Sequence, residues 1–423
     1  MNQYNILAGV LKRKILNFSK NICEGLKKPE QKLITNLLYG IAESESCHLS
    51  NIGRALKERI TLKKTIERLS NGLRDFSPKD SGMMFDNYSE MIRKNTDNST
   101  VYVIDISDVT KKYAKTMEGL DKVWDGSKGG VGNGYWTFEI AALTKNTKTP
   151  LPVYDRLYSV KEKGFVSQND EVFKGLQYVS ETFGKNGIRT LDRGFDGCEY
   201  YKYFLKNKEK FIIRADKTRH VRHKDKTINI MELAKQYKGK YRIDFKDKKG
   251  KTITCKIAVI PVSLPKYPNA PLNMVVVYGF GVEPMLLMTN LERDDQRLAH
   301  TITKVYLLRW RIEEYFRFKK NQYDFEDFRV RSLNAIRMLH RVVTLLTGFI
   351  GMLSEQRRES LFVMELIEIS KRIYPPKKDK FMLKFFHYAI GDAFRYILQR
   401  CSSAISHFLA NAPPDPQLSF FPI

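Results

Sequence analysis

The chain has 423 residues, enough for two to four domains that each bury their own core. Its 73 Lys and Arg against 47 Asp and Glu leave a formal charge of +26 in an aromatic-rich chain, which points to a polyanionic partner, nucleic acid ahead of a membrane surface. The five scattered cysteines lack C-x-x-C spacing and a neighbouring His, so neither a disulfide framework nor a zinc cluster is indicated.

The first residues show no charged, apolar and small-residue tripartition, so a place inside the cell is expected. From 1 to about 95 the apolar residues recur at helical spacing, as in Ile34, Leu37, Leu38 and Ile41. The stretch 31–73 reads as a helix, a turn, the helix "LSNIGRALKE" and the helix "TLKKTIERLSNGL", the last capped by Thr61 and stopped near Gly72. This rhythm is helix-turn-helix-like, with Lys63, Lys64 and Arg68 placed to meet phosphates.

From about 100 the period shortens. "VYVIDIS" (101–107), 135–144 and 151–160 read as strands, 169–184 as a helix, "IRTLD" (188–192) as a strand, then a short helix and the strand "FIIRA" (211–215). That succession is an α/β sheet of mixed pairing. The Gly-rich stretch 124–136 lacks the Lys-Ser/Thr ending of a phosphate-cradling loop and reads as a hairpin connection. Between about 216 and 285 the chain is Lys-rich and strand-like, a β insertion with "DKKGK" as a turn. Helix returns near 294 and runs to about 410, where the Pro-rich "NAPPDPQLSFFPI" closes the chain. Within it, "VVTLLTGFIGML" (342–353) falls short of the ~20 residues a bilayer requires and reads as a buried helix.

Asp105 follows four apolar residues and Asp192 closes "IRTLD", so both carboxylates are expected where strands run out, the place where a rigid sheet can hold them about one divalent cation. A single carboxylate of this kind is as readily a turn or cap residue. The segment "YLLRWRIEEYFRFKK" (306–320) adds a third acid. At about 100° per residue from Tyr306, Arg309 falls near roughly −60°, Glu313 −20° and Lys320 −40°, one narrow stripe of a continuous helix. Val305, Leu308, Ile312 and Phe316 form the adjoining arc that must face the core.

These residues resemble the Y-(2)-R-(3)-E-(6)-K signature of the IS4 superfamily of DDE transposases, filled by Tyr306, Arg309, Glu313 and Lys320. "RWRIEE" (309–314) is similar to its Tn5-like members, and "LDRGFDG" (191–197) resembles the segment of the second catalytic aspartate, followed by the strand "FIIR". For the first aspartate, "DIS" at Asp105 fits the family pattern, and "DVT" at Asp108 fits it too; Asp105 is taken because it directly follows the apolar strand.

The resemblance implies an α/β, RNase H-like catalytic core at 96–350 interrupted by the β insertion at about 216–285, a helical DNA-binding region at 1–95 and a helical C-terminal region at 351–423. It implies that Asp105, Asp192 and Glu313 are catalytic and hold two Mg2+ or Mn2+ ions, and that Tyr306, Arg309 and Lys320, with Arg193 and Arg214, contact DNA phosphates. The implied activity is cut-and-paste transposition of an insertion sequence in the bacterial cytoplasm, on double-stranded transposon ends and target DNA, by a homodimer in the synaptic complex, with no membrane partner. A nuclease that does not join, or a DNA-binding regulator, are the alternatives. In Tn5-like enzymes a tryptophan of the insertion stacks on a flipped base, and Met285 stands at the corresponding place here.

Overall fold

The computed structural model describes residues 3–126, 129–145, 148–246, 252–292, 294–356, 360–373 and 386–400. Five helices come first: α1 (Gln3–Ile22), α2 (Lys28–Ser44), α3 (Leu49–Leu56), α4 (Leu62–Asp75) and α5 (Pro78–Arg93). Thr61 caps α4 and Ser77 caps α5, each hydroxyl accepting a backbone N–H of the first turn. Gly72 does not stop α4, which continues to Asp75. That glycine is a packing position, since a Cβ there would lie 2.8 Å from a Leu33 methyl of α2.

The sheet begins with β1 (Val101–Thr110), β2 (Asp121–Asp125), β3 (Gly130–Leu143) and β4 (Pro150–Tyr158), passes through α6 (Gln168–Phe183) to β5 (Ile188–Leu191), and through α7 (Cys198–Asn207) to β6 (Lys210–Arg214). The spatial order is β4, β3, β1, β5, β6, with β4, β3 and β1 antiparallel and β5 and β6 parallel to β1. This meander followed by two parallel crossovers is the RNase H-like arrangement. The Gly-rich stretch joins β2 to β3 as an antiparallel hairpin.

The insertion comprises β7 (His220–His223), β8 (Lys226–Asn229), α8 (Ile230–Lys235), β9 (Tyr241–Lys246), β10 (Thr252–Leu264), β11 (Tyr267–Tyr278) and β12 (Met285–Thr289). Because β12 pairs antiparallel with β6, the insertion extends that sheet. The "DKKGK" turn, at 247–251, lies outside the described residues.

After α9 (Asp295–Leu307) come a 3-10 turn at Leu308–Trp310, α10 (Arg311–Gln322), a second 3-10 turn at Phe325–Asp327, α11 (Leu333–Glu355), α12 (Leu361–Ile373) and α13 (Phe386–Arg400). The helical stretch expected from near 294 to about 410 is divided among these helices. Asp324 adopts a left-handed backbone, φ 44°, and Lys111 of the β1 end ties down the carbonyls of Glu326 and Phe328, an anchor no local pattern reveals. The Pro-rich tail lies outside the described residues.

One face of the sheet packs on α6, where Gly175 lets Phe138 and Tyr154 approach; the other carries α10 and α11. A main core joins α1, α2 and α5 to the sheet, α11 and α13 through residues such as Ile15, Leu37, Phe85, Leu346 and Phe394. Helix α11 is long and apolar enough to cross a membrane, yet 83% of its apolar window is buried inside the protein.

Candidate active site

Strand β1 continues well past Asp105 to Thr110, because β3 pairs with it along its whole length. What ends at that level is the parallel partner: β5 pairs with β1 only as far as Thr190 opposite Val103. Two residues further along each strand stand Asp105 and Asp192, on the face that Val103 and Thr190 set, since side chains alternate with period two. Paired strands lie about 4.8 Å apart, so the two carboxylates stand near each other just where the pairing of β5 with β1 ends. Asp192 Oδ1 accepts the Gly194 N–H at 2.8 Å and caps the 3-10 turn that leads into α7.

Helix α10 lies over this edge. Ile312, Tyr315 and Phe316 pack on Val101, Val103, Ala141 and Leu143, with Val305 and Leu308 alongside, which is the apolar arc expected from the sequence. The polar stripe beside it is arranged differently. Tyr306 ends α9, Arg309 sits in the 3-10 turn and Glu313 in the first turn of α10, so the three belong to consecutive elements and not to one uniform helix.

Arg309 binds them together. Its guanidinium donates to Asp105 Oδ2 at 3.1 Å and to Glu313 Oε1 at 2.9 Å, with its side chain only 8% exposed and its Nε without a partner. Burial pushes Asp105 up to about 7; Arg309 opposes the shift, and Asp192 and Glu313 add to it as like charges. Arg309 itself is pushed up: burial disfavours its charge, but Asp105, Tyr306, Asp192 and Glu313 together outweigh it. The asymmetry is physical, since one cation is shared among several acids while Asp105 has that single cation against burial and two like charges. Tyr306 is buried, its hydroxyl raised by burial and drawn down by Arg309 and Arg214.

Asp105, Asp192, Glu313, Tyr306, Arg309 and Arg214 are thus brought within one electrostatic neighbourhood. Other sequence candidates fall elsewhere. Lys320, two turns beyond Glu313 on α10, meets Asp108 at 3.5 Å and Glu326 at 3.0 Å, so Asp108 belongs to that ion-pair set while Asp105 pairs with Arg309. Arg193 is exposed on the turn after Asp192. On α4, Lys63 and Lys64 are exposed, but Arg68 is held by Glu58 at 2.8 Å. Met285 is buried at the start of β12. The exposed aromatic nearest the signature is Trp310, which stands edge-on to Phe280 with ring centroids 6.0 Å apart.

The sequence reading missed a second polar group on the same sheet face, Glu139, Asp155, Lys319 and His340, all buried. Its only sequence signal is an acid at an inward strand position, which becomes readable once the pairing of β1, β3 and β4 is known.

Comparison with known proteins gives one family match. Residues 168–346 match the model of the transposase DDE domain. That span includes Asp192 and the whole Tyr306, Arg309, Glu313 and Lys320 signature, while β1 with Asp105 lies before it. The match supports a transposase. No curated protein matches the sequence. Among solved structures, the cryo-EM piggyBac transposase synaptic complex with hairpin DNA is similar at 10% identity, over 99% of this chain and 87% of that one, with a TM-score of 0.47.

Proposed function

We propose that the protein is an insertion-sequence transposase of the IS4 superfamily, Tn5-like, that cuts double-stranded DNA at transposon ends and joins it to a target. The observation that supports this reading is that Asp105 on β1 and Asp192, just past the end of the parallel strand β5, each follow the last paired residues Val103 and Thr190 by two, while Arg309 bonds both Asp105 and Glu313.

The donor set suits a hard divalent cation: three carboxylates, with no thiol or imidazole among them. Burial raises the Asp105 carboxyl, with the like charges of Asp192 and Glu313 adding to the shift and Arg309 opposing it. Among the described residues no three Asp, Glu, His or Cys side chains stand close enough to hold an ion as they are, and Arg309 is the group between them. Asp105, Asp192 and Glu313 would hold two Mg2+ or Mn2+ ions, whose chemistry is to activate a water or DNA 3′-hydroxyl and to neutralise the leaving oxygen.

The chain's own residues do the rest. The sheet limits how far Asp105, and Asp192 just beyond the end of β5, can move, so the larger rearrangement falls on Arg309 and Glu313. Arg309 keeps the acids paired before DNA arrives. Releasing Glu313 or Asp105 frees a planar five-donor fork for a phosphate, with Arg214 and the Tyr306 hydroxyl beside it. Lys63 and Lys64 on α4 offer sequence-independent phosphate contacts that seat the duplex.

The test is a cleavage and strand-transfer assay on duplexes carrying the ends of the encoding element, with Mg2+ or Mn2+. Asp105→Ala, Asp192→Ala and Glu313→Ala are each expected to lower cleavage about a thousandfold or more while duplex binding persists. A fully active Glu313→Ala protein would sink the mechanism. Cutting without joining by the unaltered protein would instead assign a nuclease, and binding alone a regulator.

A further inference from the structure

Three acids line up across the sheet. Asp105 on β1 is directly opposite Glu139 on β3, and Glu139 is directly opposite Asp155 on β4. Directly opposed residues share a face, so the row that begins at the candidate active site continues inward beneath α10 and α11. There Glu139 accepts the Tyr315 hydroxyl at 2.6 Å and the Lys319 ammonium at 2.9 and 2.8 Å, and the two charged side chains are 2% and 3% exposed. His340 of α11 bridges the row, with Nε2 3.0 Å from Glu139 and from Lys319 and Nδ1 3.1 Å from Asp155. Arg341 closes it at 3.0 Å from Asp155, its cation 4.2 Å over the Phe85 ring of α5.

Burial alone would raise the Glu139 carboxyl, but Lys319 and His340 more than offset it and hold it down at about 2. Asp155 is lowered in the same way, burial being outweighed by Arg341 and His340. Both acids are thus favoured as carboxylates by the Lys319 and Arg341 cations and by the imidazole of His340 between them. Stability does not require such an arrangement, since buried ion pairs can often be exchanged for packed apolar groups without loss. Direction is what it supplies. The apolar contacts of Ile312 and Phe316 tolerate a helix that slides or rolls, whereas a roll of one residue, about 100°, takes Lys319 off Glu139 and strands two buried charges. The 3-10 turn at Leu308–Trp310 detaches the setting of α10 from that of α9, so α10 needs such an anchor of its own.

We propose that Glu139 and Lys319, with Tyr315, His340, Asp155 and Arg341, act as positioning residues that lock the roll and depth of α10 and so present Glu313 to Asp105. This rests on the metal-site reading above. The test uses the full chain: unaltered, Glu313→Ala, Tyr315→Phe, and the double variant Glu139→Gln with Lys319→Met, which removes both charges together. Mn2+ binding is read from the paramagnetic resonance of the free ion, duplex binding from anisotropy, and the seating of residues 311–322 from hydrogen exchange.

The double variant is expected to melt as a folded protein and to bind duplex DNA within twofold of the unaltered chain. Its Mn2+ affinity should fall at least tenfold and exchange in 311–322 should quicken, a split that a general loss of stability would not produce. A folded double variant with unaltered Mn2+ affinity overturns the proposal. If the double variant does not fold, Tyr315→Phe decides, with a weakening of about threefold expected and none overturning it. Should the unaltered chain bind no Mn2+, the metal reading fails, and unchanged protection over 311–322 in the variants then overturns the positioning role separately.

Discussion

Arg309 is the residue on which the site turns, because it spends the charge of one guanidinium on two acids that a divalent cation would otherwise claim. Asp105 carries the consequence for pH. With its carboxyl raised to about 7 from an ordinary 3.8, chiefly by burial, the folded chain holds a proton in that window which the unfolded chain has lost. Stability from this group is complete below about pH 4 and is lost as pH rises through 7, a loss on the order of 4 kcal/mol. Without added cation the chain should therefore melt lower at pH 8 than at pH 5, and Asp105→Asn should flatten that slope. The same proton competes with a cation, so Mn2+ affinity should fall roughly tenfold per unit below pH 7, with proton release visible by calorimetry in two buffers. An affinity independent of pH would remove Asp105 from the ligand set.

At the scale of elements, what could be read in the sequence followed from local signals. The strand-then-turn form of "IRTLD", the signature spacing and the arc of Val305, Leu308, Ile312 and Phe316 are each written within a few residues. What was hidden depended on distant partners. The strand β1 runs on through Asp105, Ser107 and Asp108, residues of poor strand propensity, because β3 pairs with all of them. No Gly or Pro in "LLRWR" announces the 3-10 turn, and Glu139 gives no sign that its cation lies 180 residues away. Helix contacts can be tested at the same scale. Gly40 of α2 faces Ile52 of α3 so closely that a Cβ would lie 2.5 Å from its methyl, and Gly40→Ala should cost about 1 to 3 kcal/mol in urea unfolding. An unchanged midpoint would mean that α2 and α3 part without penalty.

For the molecule as a whole, the charge of +26 predicts DNA binding dominated by released counterions. With about six phosphates engaged, affinity should drop roughly a thousandfold between 50 and 200 mM salt. A flat salt dependence would contradict a phosphate-led interface. The main core also joins the two ends of the described chain, for α13 packs on α1 and α2, and Gln399 donates to the Glu43 carbonyl. That closure sets a timetable for synthesis. At 5–20 residues per second α1 leaves the ribosome roughly 20 to 80 s before α13 exists to cover it. For that interval α1 and α2 pack on each other and on α3 and α5, and only the parts of them that α13 covers wait exposed, a standing call for chaperones. A message cut short before α13 would yield a chain fit for proteolysis, not a partly competent DNA binder.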